Sequence, residues 1–234
     1  MSSSITIDAN VIKTKSQCSQ GSISARRCCR RRSGISFARS SLTASAAELK
    51  KVRLGSSDLV VPEICLGTMT WGQQNSEQDA HNQLTYALDR GINFMDTAEM
   101  YPVPTKAETQ GKTDVYISSW LKKQKRDAIV LATKVSGRSD RITWLREHQD
   151  TTKVDKKNIM YSVEKSLERL GTDYIDLLQI HWPDRYVPLF GAAAYDEKNA
   201  YEACSFEEQL EAMELLVKQG KIRYFGVSNE VQKC

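Results

Sequence analysis

The chain has 234 residues and a formal charge of +4, but residues 1–47 hold 8 Lys+Arg, 12 Ser and one acid, Asp8. That leaves 25 basic and 28 acidic groups elsewhere, so the basic balance belongs to the N-terminal segment and is no argument for a nucleic-acid partner. No run of about 20 apolar residues is present to span a membrane, and the six cysteines show no paired spacing for a disulfide framework or a metal.

The N-terminal segment is read first. Arg26, Arg27, Arg30, Arg31 and Arg32 stand among serines without an unbroken apolar core. That pattern is expected of an organelle transit peptide over residues 1–47, disordered, and not of a secretory signal. The uncharged Met-Ser-Ser-Ser start favours the chloroplast over the mitochondrion. A basic arm holding an anionic partner is the other reading. Cys18, Cys28 and Cys29 lie in this segment, whereas Cys65 sits in an apolar run and reads as a packed thiol. Residues 48–234 are expected to form the folded part.

Residues 52–61 are two short apolar runs around Gly55-Ser56-Ser57-Asp58, the signature of a hairpin. Residues 63–69 read as a first strand, ending near Thr68 and Met69 with Trp71 beyond. Ser76 is placed to cap a helix to Arg90, with Ala80, Leu84 and Leu88 on one face and Gly91 as its stop. Residues 92–95 form a short apolar strand ending on Asp96. The loop after it carries Tyr101, stiffened by Pro102 and Pro104. Thr113 is expected to cap the next helix, burying Val115 and Trp120 or Leu121. Residues 127–135 form a strand with Lys134 at its end. Residues 137–154 are polar and without period, and read as a solvated loop, with a place at a substrate mouth as the alternative. A helix over 155–170 buries Ile159, Val163 and Leu167, and Gly171 ends it. Residues 172–181 form a strand ending on His181. The long connection 182–204 is of a length that is usually functional. Ser205 and Glu208 form a capping box opening a helix to Gln219, with Leu210, Met213 and Leu216 inward. Residues 222–227 form the last strand, leading to Ser228 and Asn229.

Strands of about six residues alternating with helices predict an α/β fold with a parallel, helix-covered sheet. No Gly-x-Gly-x-x-Gly follows a strand, so a Rossmann site has no support. In a barrel of parallel strands the strand ends share one face, where active sites sit. Asp96, Tyr101, Lys134 and His181 all stand at or just past such ends. Singly, each has an ordinary explanation: a turn former, a loop wall, a solvated charge, a core histidine. Their joint placement is what points to a site.

The same residues carry a family resemblance. Asp96 with Tyr101, the Ala132-Thr133-Lys134 strand end and Gln179-Ile180-His181 resemble the aldo-keto reductases. The string Asp96-Thr97-Ala98-Glu99-Met100-Tyr101-Pro102-Val103-Pro104 is similar to the Tas-like branch and its plant chloroplast relatives. The resemblance runs from about Val52 to Asn229. It implies a TIM-type (β/α)8 barrel, here incomplete with about five βα units and the N-terminal hairpin, which closes the barrel bottom. It also implies NADPH as cofactor and a small-molecule carbonyl substrate. Reducing a carbonyl with hydride leaves an alkoxide that needs a proton. Tyr101 would supply it, Lys134 would stabilise the phenolate, Asp96 would hold the ammonium, and His181 would orient the carbonyl oxygen. Further residues follow by resemblance: Thr68, Met69 and Asp96 at the nicotinamide ribose, and Ser228 with Asn229 at the carboxamide. Trp71 becomes a substrate-pocket aromatic, with a core tryptophan as the equal alternative. His81 and His148 show no ligand spacing, and no metal is implied.

Eight units are expected of the family and five strands are read here. The first and fifth strands would then keep open edges, favouring self-association and weakening catalysis by this chain. A non-catalytic interaction module, similar to reductase-like subunits that regulate channels, is the alternative function. The targeting expectation is testable by itself: deleting residues 1–45 should leave folding unchanged and abolish plastid import of a fluorescent fusion. Import that survives the deletion contradicts it.

Overall fold

The computed structural model describes residues 49–148, 151–188 and 194–230. The segment read as a transit peptide lies outside them.

Strands β1 (Lys51–Arg53) and β2 (Val60–Pro62) pair antiparallel, with Val52 opposite Val61. Ser57 closes the turn by donating to the Leu54 carbonyl at 2.6 Å and accepting from the Leu59 amide at 3.2 Å. Leu59 and Val61 then pack on Val130, Phe94 and Tyr224. Phe94 and Val130 begin their strands, so the hairpin caps the N-terminal end of the sheet, as expected.

That sheet has five parallel strands in sequence order: β3 (Leu66–Gly67), β4 (Phe94–Asp96), β5 (Val130–Val135), β6 (Ile175–Ile180) and β7 (Ile222–Val227). It is the incomplete (β/α)8 architecture predicted. The first strand is shorter than expected, two residues in place of seven. Among the described residues β3 and β7 are the edges.

Among the described residues four helices cover one face. In α1 (Glu77–Leu88) the Ser76 hydroxyl accepts from the Asp79 amide, and the Asp79 carboxylate accepts from the Ser76 amide. This capping box satisfies two otherwise orphaned donors. The phase of α2 (Lys112–Leu121) corrects the sequence reading. Its N-cap is Gly111, Thr113 lies inside and donates to the Trp71 carbonyl at 2.7 Å, and Val115 is exposed. Trp120 and Leu121 face inward as expected, with Ile117 in the place foreseen for Val115, and join Leu84, Met95, Ile129, Leu131 and Trp71 in one core.

The second core lies beneath α3 (Lys156–Leu170) and α4 (Phe206–Lys218). Ile159, Val163, Leu178, Met213, Leu216 and Ile222 are its centre, with Leu167 against it. Gly171 ends α3 in the left-handed conformation, φ +63°. Leu210 was expected inward but is exposed, and Gln209 and Ala212 take the inner face. Glu208 does not complete a capping box in the structure: its carboxylate accepts from the Lys156 amide at 3.0 Å, tying α4 to the start of α3. Cys65 is also corrected, from packed to exposed. Leu66 takes the helix-covered side, and alternation sends Cys65 to the opposite face at the open edge.

The buried Asp176 carboxylate locks the lower end of the sheet. It accepts from Arg126 at 2.8 Å, from the Leu131 amide at 3.0 Å and from Arg223 at 3.0 Å. The core assignment predicts that Leu178→Ala, at a fully enclosed position, destabilises the fold by about 2–5 kcal/mol. Urea denaturation followed by circular dichroism measures this, and a loss under about 0.5 kcal/mol would contradict the assignment.

Candidate active site

The parallel register decides which side chains meet. Gly67 pairs with Asp96, Asp96 with Ala132 and Lys134 with Gln179. Side chains at matched positions point to one face, so Asp96, Ala132 and Lys134 share the uncovered side. The chain continues past β6 with the His181 amide bonded to the Val135 carbonyl at 2.8 Å, and past β7 with the Ser228 amide on Ile180 at 2.8 Å. All four predicted catalytic residues therefore stand on the C-terminal rim.

The four form one chain of contacts. The Lys134 ammonium donates to Asp96 Oδ2 at 2.5 Å and to the Thr97 carbonyl at 2.8 Å. It lies 5.3 Å from the Tyr101 ring centroid. The Tyr101 ring meets the His181 imidazole edge-on, centroids 5.8 Å apart. Tyr101 is 7% exposed, and the bonds from the Tyr101 amide to Ala98 at 3.0 Å and from the Gly111 amide to the Tyr101 carbonyl at 2.8 Å fix its backbone. The Tyr101-Pro102 and Val103-Pro104 bonds are cis.

Burial dominates the electrostatics. It pushes the Asp96 carboxyl above its ordinary value against the pull of the Lys134 ammonium. Burial also raises the Tyr101 phenol, and the Asp96 charge adds to this. From the sequence, Lys134 is expected to ease ionisation of the phenol. In this structure the ammonium spends its short bonds on Asp96 and Thr97, and Tyr101 is held firmly protonated. His181 is driven down to about 3, first by burial and then by Lys134, so its ring is neutral. Its Nδ1 is buried and has no hydrogen-bond partner among the described residues.

The remaining predicted residues divide. Thr68 is buried and donates to the Asp96 carbonyl at 2.9 Å. Met69, two residues past β3, is exposed, its carbonyl accepting from the Val103 amide at 2.9 Å. Asn229, in the left-handed region at φ 56°, donates through its amide to the His181 carbonyl at 2.9 Å and to Ser228 Oγ at 3.1 Å. Thr68, Met69, Ser228 and Asn229 thus border the same rim. Trp71 does not. Its ring is 1% exposed in the core under α1 and α2, donating to Gln83 at 3.1 Å; of its two readings, the structure gives the core tryptophan.

Sequence reasoning missed the residues behind the rim. Glu99 is buried and accepts from both Arg146 terminal nitrogens at 2.8 Å, from Ser162 Oγ at 2.6 Å and from the Ser136 amide at 2.6 Å. Arg146 lies in the segment expected to be solvated, and its side chain is 1% exposed. The Arg146 guanidinium and the other donors hold the Glu99 carboxyl below its ordinary value although burial opposes this. Behind Thr97, the buried Asp114 accepts from its hydroxyl at 2.8 Å and from Arg169 at 2.9 Å. A local motif could have flagged none of these, because 47 residues separate Glu99 from Arg146, 63 separate it from Ser162, and 55 separate Asp114 from Arg169.

Two close approaches fix the outer wall. Gly137 packs on Trp182 so tightly that a Cβ there would fall 2.1 Å from the Trp182 carbonyl oxygen. Trp182 also donates to the Arg138 carbonyl at 2.9 Å. The connection after Trp182 is anchored by Asp184, which accepts from the Val154 and Cys204 amides at 2.9 and 2.8 Å, and by an Arg185–Glu230 ion pair.

Known proteins share much of this sequence and fold. The model of the Aldo/keto reductase family matches residues 63–233. Protein tas of Escherichia coli K12 is 47% identical over 180 residues, which is 76% of this chain and 51% of that protein. An aldo-keto reductase of Babesia bovis is 49% identical over 109 residues, 44% of this chain and 38% of its own. Among solved structures, the holo form of aldo-keto reductase AKR11C1 from Bacillus halodurans superposes with a TM-score of 0.56 at 32% identity, over 77% of this chain and 50% of that one. The chain spans about half the length of the curated relatives it matches. With the family's model matched from the first parallel strand to beyond the last, the chain belongs to the aldo/keto reductase family, in its Tas-like branch.

Proposed function

We propose that the protein reduces small aldehydes or ketones to alcohols with NADPH, Tyr101 giving the proton. The observation that carries this reading is the meeting of Asp96, Tyr101, Lys134 and His181 on one rim. A nicotinamide cofactor would supply the hydride. The residues fit its nicotinamide half: Asn229 is exposed with its amide nitrogen already engaged, which leaves an amide oxygen as acceptor beside the Ser228 hydroxyl for a carboxamide. Asp96 keeps one carboxylate oxygen besides that on Lys134, and Thr68 and Met69 follow its register partner Gly67, where a ribose would lie.

The chain's own groups then divide the work. Neutral His181 carries one ring hydrogen and can donate it to a carbonyl oxygen without adding charge. Tyr101 stays protonated well past neutral pH and so stands ready as acid. Its reluctance to ionise in the resting site is offset only when negative charge builds on the substrate oxygen, and the Lys134 ammonium, 5.3 Å from the ring centroid, is placed to stabilise that charge. Asp96 keeps that ammonium in place. We further propose that residues 1–47 direct the protein to the chloroplast. A second reading, a reductase-like module that self-associates, draws support from the unpaired edges of β3 and β7 among the described residues.

Tyr101→Phe is expected to lower turnover of a test aldehyde by about 10²–10⁴-fold while NADPH affinity, followed by fluorescence quenching, changes less than about threefold. Near-normal reduction by this variant would remove Tyr101 as proton donor. The neutral imidazole has its own pH signature. The folded value near 3 lies below the ordinary 6.5, so between them the unfolded chain binds the extra proton and stability falls as pH drops below about 6.5. His181→Gln should flatten that fall between pH 7 and 5 in urea titrations; an unchanged slope would show that His181 is not held neutral.

A further inference from the structure

We infer that Glu99 and Arg146 are positioning residues for the reaction, their buried pair setting the height of the Tyr101 turn over Lys134 and His181. The inference rests on the reductase reading of the same rim.

Glu99 lies two residues before Tyr101 and grips the end of β5 twice. Its amide donates to the Lys134 carbonyl at 3.2 Å, and its carboxylate accepts from the Ser136 amide at 2.6 Å. Its own carbonyl accepts from Gln110 at 2.7 Å, closing the far side of the tyrosine loop. The proton donor's turn is thus clamped onto the strand that bears the lysine.

Arg146 brings in a third and a fourth element. Its two terminal nitrogens fork onto Glu99, while its Nε donates to Asn158 at 2.8 Å. Asn158 and Ser162 are both buried on α3, and Ser162 supplies the remaining bond to Glu99 Oε2 at 2.6 Å. A bidentate guanidinium fixes orientation as well as distance, which a lysine cannot do. The neighbouring Leu145 packs with Ala98, Met100, Tyr101 and Trp182, and Ile142 and Trp144 pack against that group. Arg146 therefore also holds down the apolar cover of Tyr101.

A carboxylate with its lone-pair sites filled from four directions is a poor acid or base for chemistry. It is a good fixed point. The donor must meet a carbonyl oxygen held by His181, and a displacement of about 1 Å can cost about 10²-fold in rate.

The test uses the full chain. In Arg146→Lys the charge stays but the fork is lost; in Ser162→Ala one bond is lost without stranding a charge, so this variant folds if the first does not. We expect kcat to fall at least tenfold in Arg146→Lys and at least threefold in Ser162→Ala, with KM for NADPH and for the aldehyde within twofold. Hydrogen exchange should quicken together in residues 97–103 and 134–137, and stay unchanged in β6. Folded Ser162→Ala and Arg146→Lys proteins with unaltered kcat, while Tyr101→Phe is inactive, overturn this inference and leave the reductase reading standing. Raised KM with unaltered kcat overturns it equally. An unmodified chain without turnover, or a fully active Tyr101→Phe, overturns the reductase reading and this inference with it.

Discussion

The bond between Lys134 and Asp96 is possible only because β4 and β5 run parallel in a register that sets Asp96 opposite Ala132. Lys134 lies two residues further along β5, so its side chain leaves the same face and reaches back to Asp96 at 2.5 Å. A slip of one residue would send the ammonium into the helix-covered core. That register is set from below, where Asp176 joins β6 to β5 and β7, and where the hairpin packs over Phe94, Val130 and Tyr224. The chemistry of the rim thus depends on packing at the opposite end of the strands.

Burying such a pair is costly unless its remaining bonds are made. Here Lys134 has a second acceptor in the Thr97 carbonyl, and Thr97 is itself tied through Asp114 to Arg169. Glu99 and Arg146 form a second buried pair alongside. Each pair spans two or more elements, so the loops after β4 and β5 are joined to α2 and α3 by hydrogen bonds with defined directions. The apolar cores under the helices supply the bulk of the folding drive and little orientation. The polar pairs supply the orientation.

Much of this was legible in the sequence. Apolar runs ending on Asp96, Lys134 and His181 gave three adjacent strand ends, and the i, i+4 rows of α1 and α3 gave the helices that cover them. The failures have physical causes. Val115 and Leu210 are apolar but face outward: Asp114 takes the inner face beside Val115, and Leu210 belongs to an exposed row with Phe206 and Val217. Thr113 has the chemistry of a cap, but Gly111 took that place with a left-handed backbone, freeing the Thr113 hydroxyl for Trp71. Trp71 itself offered no way to choose between pocket and core, because both want an aromatic. Arg146 in a polar stretch looked solvated. Its partner Glu99 lies 47 residues away in sequence, and a pairing of that range has no local period to announce it.

The account's central claim is that this rim supports hydride transfer to a carbonyl, with the proton from the protein. The most direct measurement follows the hydrogen itself. NADPH carrying deuterium at the transferred position is turned over with the full chain and an aldehyde in ordinary water, and the alcohol is analysed by mass spectrometry. The account predicts one deuterium on the carbinol carbon and an ordinary hydroxyl proton. An alcohol without carbon-bound deuterium, or no alcohol at all, would contradict it.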